Sequence, residues 1–408
     1  MWLKFKVAFR NVFRNKTRTL ITLLAVSIGC IALILAGGFI RDSFYQLREI
    51  TIRSYLGHLQ VARKGFYEKG SSQPFRFLIE DPQTLIARIQ EIPSVSYVTP
   101  RLEFSGLVSL RETTVSFLGQ GVDPAGEKAL NSVLGMVDGR MLEPEDTYSV
   151  ILGRGLAASL DARVGDTLVL LANTEGGGIN AVQVEVKGIF YTFAKAFDDR
   201  ALRLPIRTAQ ELLYNTAVQT LVVVLDDTEQ TDRVKARLAA TLKDYPVELE
   251  IKPWYELADY YQKVKALYSR QFNVIKLIIT IVVILSIMNT MSMSILERTG
   301  EIGTIMAMGF KRRAILGMFL LEGLILGVIG GFLGVVFGIL AATVVSRIGI
   351  PMPPAPGSET PYTAHIQIAP DIVAFAFALA VVSALVSSFY PAYRASRLQV
   401  VEALRHNN

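Results

Sequence analysis

Glu297 and Glu301 stand four residues apart, ahead of an apolar set, Ile302, Gly303, Ile305, Met306, Ala307 and Gly309, and of the cations Lys311, Arg312 and Arg313. Carboxylates near the start of a helix are favoured by its dipole. Ile302, Ile305, Met306 and Gly309 occupy the i, i+3, i+4, i+7 positions of one helical face. The chemistry this pattern can do is recognition. It predicts a short helix over 297–309, stopped at Gly309, that lies at a membrane surface. The helix would offer an adaptable, methionine-containing face and two carboxylates to a protein. Acids are poor company for an anionic leaflet, so a protein explains the mixture better than lipid does.

Catalytic and metal-binding patterns are missing. The chain has three histidines, His58, His365 and His406, on different predicted elements, so no histidine metal site is expected. It contains no GxxxxGK[ST] phosphate loop, no HExxH and no GxSxG. A non-catalytic chain without cofactor or metal is therefore expected. The one cysteine, Cys30, falls in an apolar run.

The elements that must position the 296–314 segment are membrane spans. The 408 residues are 51% hydrophobic, with mean hydropathy +0.37. Four runs approach or exceed the ~20 residues that cross a bilayer: 19–40, 273–295, 315–346 and 372–390. The 41–272 segment carries 27 Lys+Arg against 30 Asp+Glu, and the remainder 15 against 6. The excess cations flank the runs, while 348–370 has none. Cytoplasmic loops are the ones enriched in Lys and Arg. Both termini (1–18 and 391–408) and the 296–314 segment are therefore expected inside, with 41–272 and the 347–371 loop outside. Topology explains this basicity better than nucleic-acid binding. The first run is read as an uncleaved helix, since it lacks a clear A-x-A site. Residues 1–18 mix apolar residues with six cations and read as an amphipathic surface helix with Trp2 near the headgroups.

Within 41–272 the expected strands are 58–62, 95–100, 106–110, 115–119, 150–152, 168–172, 182–190, 221–225 and 247–251. Expected helices are 83–91, 155–160, 208–214 and 229–242, giving an α+β domain with two lobes meeting near 105–120 and 205–220. From Pro253 to Glu297 there is no Gly and no further Pro, which predicts one unbroken helix. Trp254, Leu257, Tyr261, Val264 and Tyr268 would line a seam, for another helix or for the domain itself. Residues 41–52 would extend the first membrane helix into a stalk. In the third run, Gly323, Gly327 and Gly331, and likewise Gly330, Gly334 and Gly338, recur every four residues. Such faces permit close helix approach, between subunits or within one. Glu322, near the cytoplasmic end of that run, is a functional candidate as an intramembrane carboxylate, but is rather expected to reach the interface.

The segment ERTGEIGTIMAMGFKRRAI resembles the E-R-x-x-E-I-G-x-x-x-A-x-G coupling segment of FtsX-like permeases, the MacB and lipoprotein-release superfamily of type VII ABC transporters. NVFRNKTRTLIT is similar to that family's N-x-x-R-N-x-x-R-T entry, and SVILGRGLAASLDARVGDTLVL to its outer-domain G-x-x-L-A-x-x-L…VGD segment. PAYRASRLQVVEALRHN resembles its ending, with Val400 where proline is usual. The layout and GHLQVARKGFY lean towards the lipoprotein-release branch, although the tip NTEGGGINAV lacks an obvious long hook. The resemblance implies a MacB-like outer domain between the first two helices of a four-helix membrane protein in a bacterial inner membrane. It implies a permease dimer, with a second copy or a homologous permease, and a separate cytoplasmic ATPase that carries ATP and Mg. That subunit would dock on Glu297, Arg298, Glu301, Ile302, Gly303, Ile305, Met306, Ala307 and Gly309. Motion would pass outward through stalk helices, without substrate crossing the membrane.

The expected role is release or extrusion of a lipoprotein, lipid or amphiphile on the outer side. Phe39, Phe44, Tyr268 and Phe272, at the membrane entrance, are the candidate substrate contacts. Membrane lipids are expected partners, and a periplasmic carrier or adaptor stays open. Two rival readings are a non-transporting regulator of a cell-wall partner and an adaptor-dependent drug or peptide exporter.

Overall fold

The computed structural model describes residues 2–70, 72–130, 134–192, 195–352 and 362–399. It forms two compact units, one of 1–45, 264–351 and 363–408, the other of 46–263 and 352–362.

The first unit is helical. α1 (Trp2–Val12) precedes α2 (Lys16–Thr51); α3 (Asp259–Glu297) leads to the short α4 (Thr299–Ala307), and α5 (Arg312–Ile348) and α6 (Pro370–Ser396) follow. The helices α2, α3, α5 and α6 are long and apolar enough to cross a membrane. Each contains one of the four apolar runs and outruns it, because a helix continues through polar turns that hydropathy ignores. The 1–18 helix expected from sequence ends at Val12, and α2 begins at Lys16. Ala8 and Val12 are buried in a core shared with Ile302, Ile315 and Phe319, so α1 packs on protein through this face. The side chain of Trp2 lies outside the described residues.

The glycines of α5 pack within this one chain. A Cβ on Gly327 would lie 2.6 Å from the Ala384 Cβ of α6, and one on Gly330 would lie 2.9 Å from the Val26 Cβ of α2. Gly323 and Gly331 share the α6 side; Gly334 and Gly338 share the α2 side. Of the two readings open in the sequence, these faces serve packing inside the subunit. Small residues let three helices approach closely where lipid supplies no hydrophobic drive.

The second unit carries a ten-stranded sheet. Its strands are β1 (Leu59–Arg63), β2 (Val95–Leu110), β3 (Thr113–Val122), β4 (Gly135–Gly139), β5 (Ser149–Gly153), β6 (Thr167–Asn173), β7 (Ile179–Tyr191), β8 (Ala201–Pro205), β9 (Thr220–Leu225) and β10 (Leu249–Pro253). The order is β10-β1-β9-β2-β3-β8-β5-β7-β4, with β6 bridging β2 and β7. Among the described residues of this sheet, only β3–β8 and β5–β7 are parallel. The 95–100 and 106–110 strands expected from sequence are one 16-residue strand, β2. β2 gives Val98 to one core and Leu102, Val108 and Leu110 to another, and Ile206 packs against both. The two lobes therefore share a continuous strand. β4 and β8 escaped the sequence reading, because GMVDG has no alternation and ALRLP places a buried arginine inside a short strand.

Helix 253–297 is not continuous. Trp254–Leu257 forms one turn, Ala258 leaves helical geometry at φ −90°, ψ 63°, and α3 starts at Asp259. The Trp254 ring meets Tyr261 edge-on at 5.0 Å. Both pack with Ile52 and Leu56, on the π-helical turn that follows α2. That turn supplies the partner of the seam.

Candidate functional site

The coupling segment is bent at its start. Glu297 is the last residue of α3, Arg298 sits at φ −109°, ψ 14°, and α4 begins at Thr299. The helix expected over 297–309 is thus broken, and only Glu301 lies in the first turn of α4. Thr299 Oγ1 donates to the carbonyls of Ile295 and Leu296, satisfying groups exposed by the bend. At the other end Gly309 takes φ +89°, which favours glycine, and the chain turns into α5.

The bend turns the Arg298 side chain inward. Arg298 Nη1 donates to Glu322 Oε1 at 3.0 Å, Nε donates to Glu301 Oε2 at 3.1 Å, and the guanidinium lies 5.6 Å from the Phe319 ring centre. Asn11 Nδ2 donates to Glu322 Oε1 at 2.9 Å. Glu322 is therefore buried and paired, contrary to the expectation that it reaches the interface. A carboxylate at that depth is costly unless paired and hydrogen-bonded.

The two coupling carboxylates are held by the N-terminal segment. Arg14 Nη1 donates to Glu301 Oε1 at 2.7 Å, Asn15 Nδ2 to Glu297 Oε2 at 3.1 Å, and Arg18 pairs with Glu297. Thr19 Oγ1 donates to the Val12 carbonyl. Burial raises the Glu301 pKa, but hydrogen bonds from Arg14 and Arg298 outweigh it and hold the carboxyl below the usual range. Both carboxylates are paired and remain exposed. Sequence reasoning did not assign these N-terminal residues to the site, yet the signal was there: Asn11, Arg14, Asn15, Arg18 and Thr19 are the N-x-x-R-N-x-x-R-T positions.

The start of the apolar stripe faces inward. Ile302 is 1% exposed and packs with Ile295, Ile315, Phe319, Ala392 and Ala395; Gly303 is buried and Met306 partly so. Periodicity finds the face but not what covers it. Ile305 is half-buried, and the outward residues are Glu301, Thr304, Ala307, Met308, Gly309, Phe310 and Lys311–Arg313, with Glu297 exposed at the end of α3. Met308 is 65% and Phe310 57% exposed. An outside protein would meet these. Val400 and His406 lie outside the described residues.

Of the four candidate substrate aromatics, Phe44 and Tyr268 meet edge-on at 6.2 Å, joining α2 to α3. Phe272 packs near Gly37, and Phe39 is half-buried. Among the described residues no group of three His, Cys, Asp or Glu could hold a metal. His58 is used structurally: Nδ1 accepts from the Leu225 N–H at 3.1 Å, and Nε2 lies 3.0 Å from Thr228 Oγ1. A buried triad missed from sequence sits in the sheet domain, where Arg101 and Arg203 each donate to Glu127 at 2.7 Å.

Comparison with known proteins places this arrangement in a family. Residues 19–241 match the MacB-like periplasmic core domain, and residues 273–400 match the FtsX-like permease C-terminal domain. An uncharacterized ABC transporter permease of Methanocaldococcus jannaschii is 25% identical over 98% of this chain and 96% of its own length. The lipoprotein-releasing system transmembrane protein LolE of Haemophilus influenzae is 26% identical over 79% of this chain and 80% of that one. The macrolide export ATP-binding/permease protein MacB of Hyphomonas neptunium is 27% identical over 98% of this chain, which spans 60% of that protein. With both family domains matched in order, and a β-rich domain inserted between the first two of four membrane helices, the chain belongs to the FtsX/MacB-type ABC transporter permeases.

Proposed function

We propose that this permease is the non-catalytic membrane subunit of an ATP-driven complex and docks a separate ABC ATPase, with its ATP and Mg, on the outward residues of the coupling segment. The observation that carries this reading is the clamp that joins Glu297, Arg298 and Glu301 to Arg14, Arg18 and Glu322. A push on α4 is delivered through paired charges to the starts of α2 and α5 and, through the bend, to the end of α3. In a dimer of such permeases, motion of α2 and α3 would work the sheet domain and release or extrude a lipoprotein, lipid or amphiphile. The cytoplasmic side would be the one that carries both termini and the coupling segment.

The test is a pull-down of the detergent-solubilised chain, with copurifying proteins identified by mass spectrometry. Wild type should bring down a P-loop ATPase, and a Met308→Glu, Phe310→Glu variant should lose it while melting like wild type. If wild type captures no ATPase under conditions that preserve complexes, the proposal fails.

A further inference from the structure

Lys276 is a cation inside a membrane-spanning helix, and its surroundings are aromatic. Its Nζ lies 4.9 Å from the ring centre of Phe272, one turn earlier on α3, and 5.2 Å from that of Phe375 on α6. Phe375 is 48% exposed, so the site opens to the lipid side of the bundle. The Phe272 ring packs beside Gly37 of α2, where a Cβ would come within 3.2 Å of its Cζ. Three helices therefore build the surroundings of this ammonium.

The depth follows from helix geometry. Lys276 precedes Glu297 by 21 residues on α3. At 1.5 Å per residue that is roughly 31 Å, close to the ~30 Å thickness of a bilayer's hydrocarbon core. With Glu297 at one boundary, Lys276 sits at the other, at the level of phosphates. A second cation at this boundary, Arg41, is satisfied by Asp371 at 2.6 Å. Asp42 accepts from the backbone N–H of His365. Among the described residues Lys276 has no carboxylate partner, only the two rings.

An ionisable residue in a span calls for a partner. Two ring faces attract the ammonium but leave its charge uncompensated. We infer that Lys276, Phe272 and Phe375 form a binding site for the headgroup phosphate of an anionic phospholipid in the leaflet at the Lys276 end of the span. The ammonium binds the phosphate, and the rings flank the upper acyl chain.

The full chain would be reconstituted in nanodiscs of one part phosphatidylglycerol to four parts phosphatidylcholine. A trace of either lipid would carry a photoreactive headgroup-proximal group, and cross-links would be mapped by peptide mass spectrometry. In wild type, phosphatidylglycerol should label 272–276 and 372–375 more than phosphatidylcholine does. Lys276→Gln should lower that labelling roughly fivefold, and Lys276→Arg should restore it. Phe375→Leu should weaken it, while labelling near Arg312 and Arg313 stays unchanged in every variant. If Lys276→Gln keeps wild-type labelling, or wild type does not distinguish the two lipids, Lys276 is only a snorkelling lysine and the inference is wrong.

Discussion

Arg298 Nη1 and Glu322 Oε1 lie 3.0 Å apart, with side chains only 8% and 4% exposed, and they join the coupling bend to the first turns of α5. Removing Arg298 leaves Glu322 with Asn11 alone in a low-dielectric core, and removing Glu322 leaves the buried Arg298 only its bond to Glu301. Arg298→Ala or Glu322→Ala should each cost about 3–5 kcal/mol. Replacing the pair by Arg298→Met with Glu322→Leu should recover most of that loss. Thermal unfolding in detergent reads this, and single variants no worse than the double would contradict it.

The Arg14–Glu301 pair is half-exposed, so its stability contribution should be small, about 0–1 kcal/mol. On the proposed docking of an ATPase, its role would be directional. Arg14→Glu and Glu301→Arg should each uncouple ATP hydrolysis from the permease in a reconstituted complex, and the combined charge swap should restore coupling. A swap no better than the single variants would show that another contact carries the linkage.

A Cβ on Gly334 would lie 3.0 Å from Ser27 Cα and closer still to the Cβ of Cys30, whereas one on Gly317 would meet open space. Gly334→Val should therefore force α2 from α5 and cost about 1–3 kcal/mol. Gly317→Ala should be neutral, or stabilising by up to about 1 kcal/mol. Equal melting shifts for the two would refute the packing assignment.

His58 gives the sheet domain a pH dependence. Burial lowers its imidazole pKa from 6.5 to about 4; Glu49 and Asp227 oppose this, and Arg53 and Arg48 add to it. Protonation would also remove the acceptor used by the Leu225 N–H. The unfolded chain takes up the proton first, so stability is full above pH 6.5 and falls as pH drops towards 4, by at most roughly 3 kcal/mol. His58→Gln should flatten the melting profile in that window. An unchanged slope would assign the acid sensitivity elsewhere.

The four spans, the inserted domain and most of its strands are local properties, and the sequence alone determined them. Apolar run length decides what crosses a bilayer, and alternation decides which segments pair. The coupling motif was legible for the same reason, since its residues are neighbours. What covers a face is not local. Arg14 and Glu301 are 287 positions apart, and Asn11 and Glu322 are 311 apart. Only tertiary packing brought them together and turned Ile302 inward. The glycine repeats announced close contact, and the fold chose α2 and α6 as partners. Ala258 has no helix-breaking side chain, yet the helix breaks there, where the adjoining Trp254 and Tyr261 pack against Ile52 and Leu56. In each case the residue's chemistry restricted the options, and the energy of burying one face against a distant element selected among them.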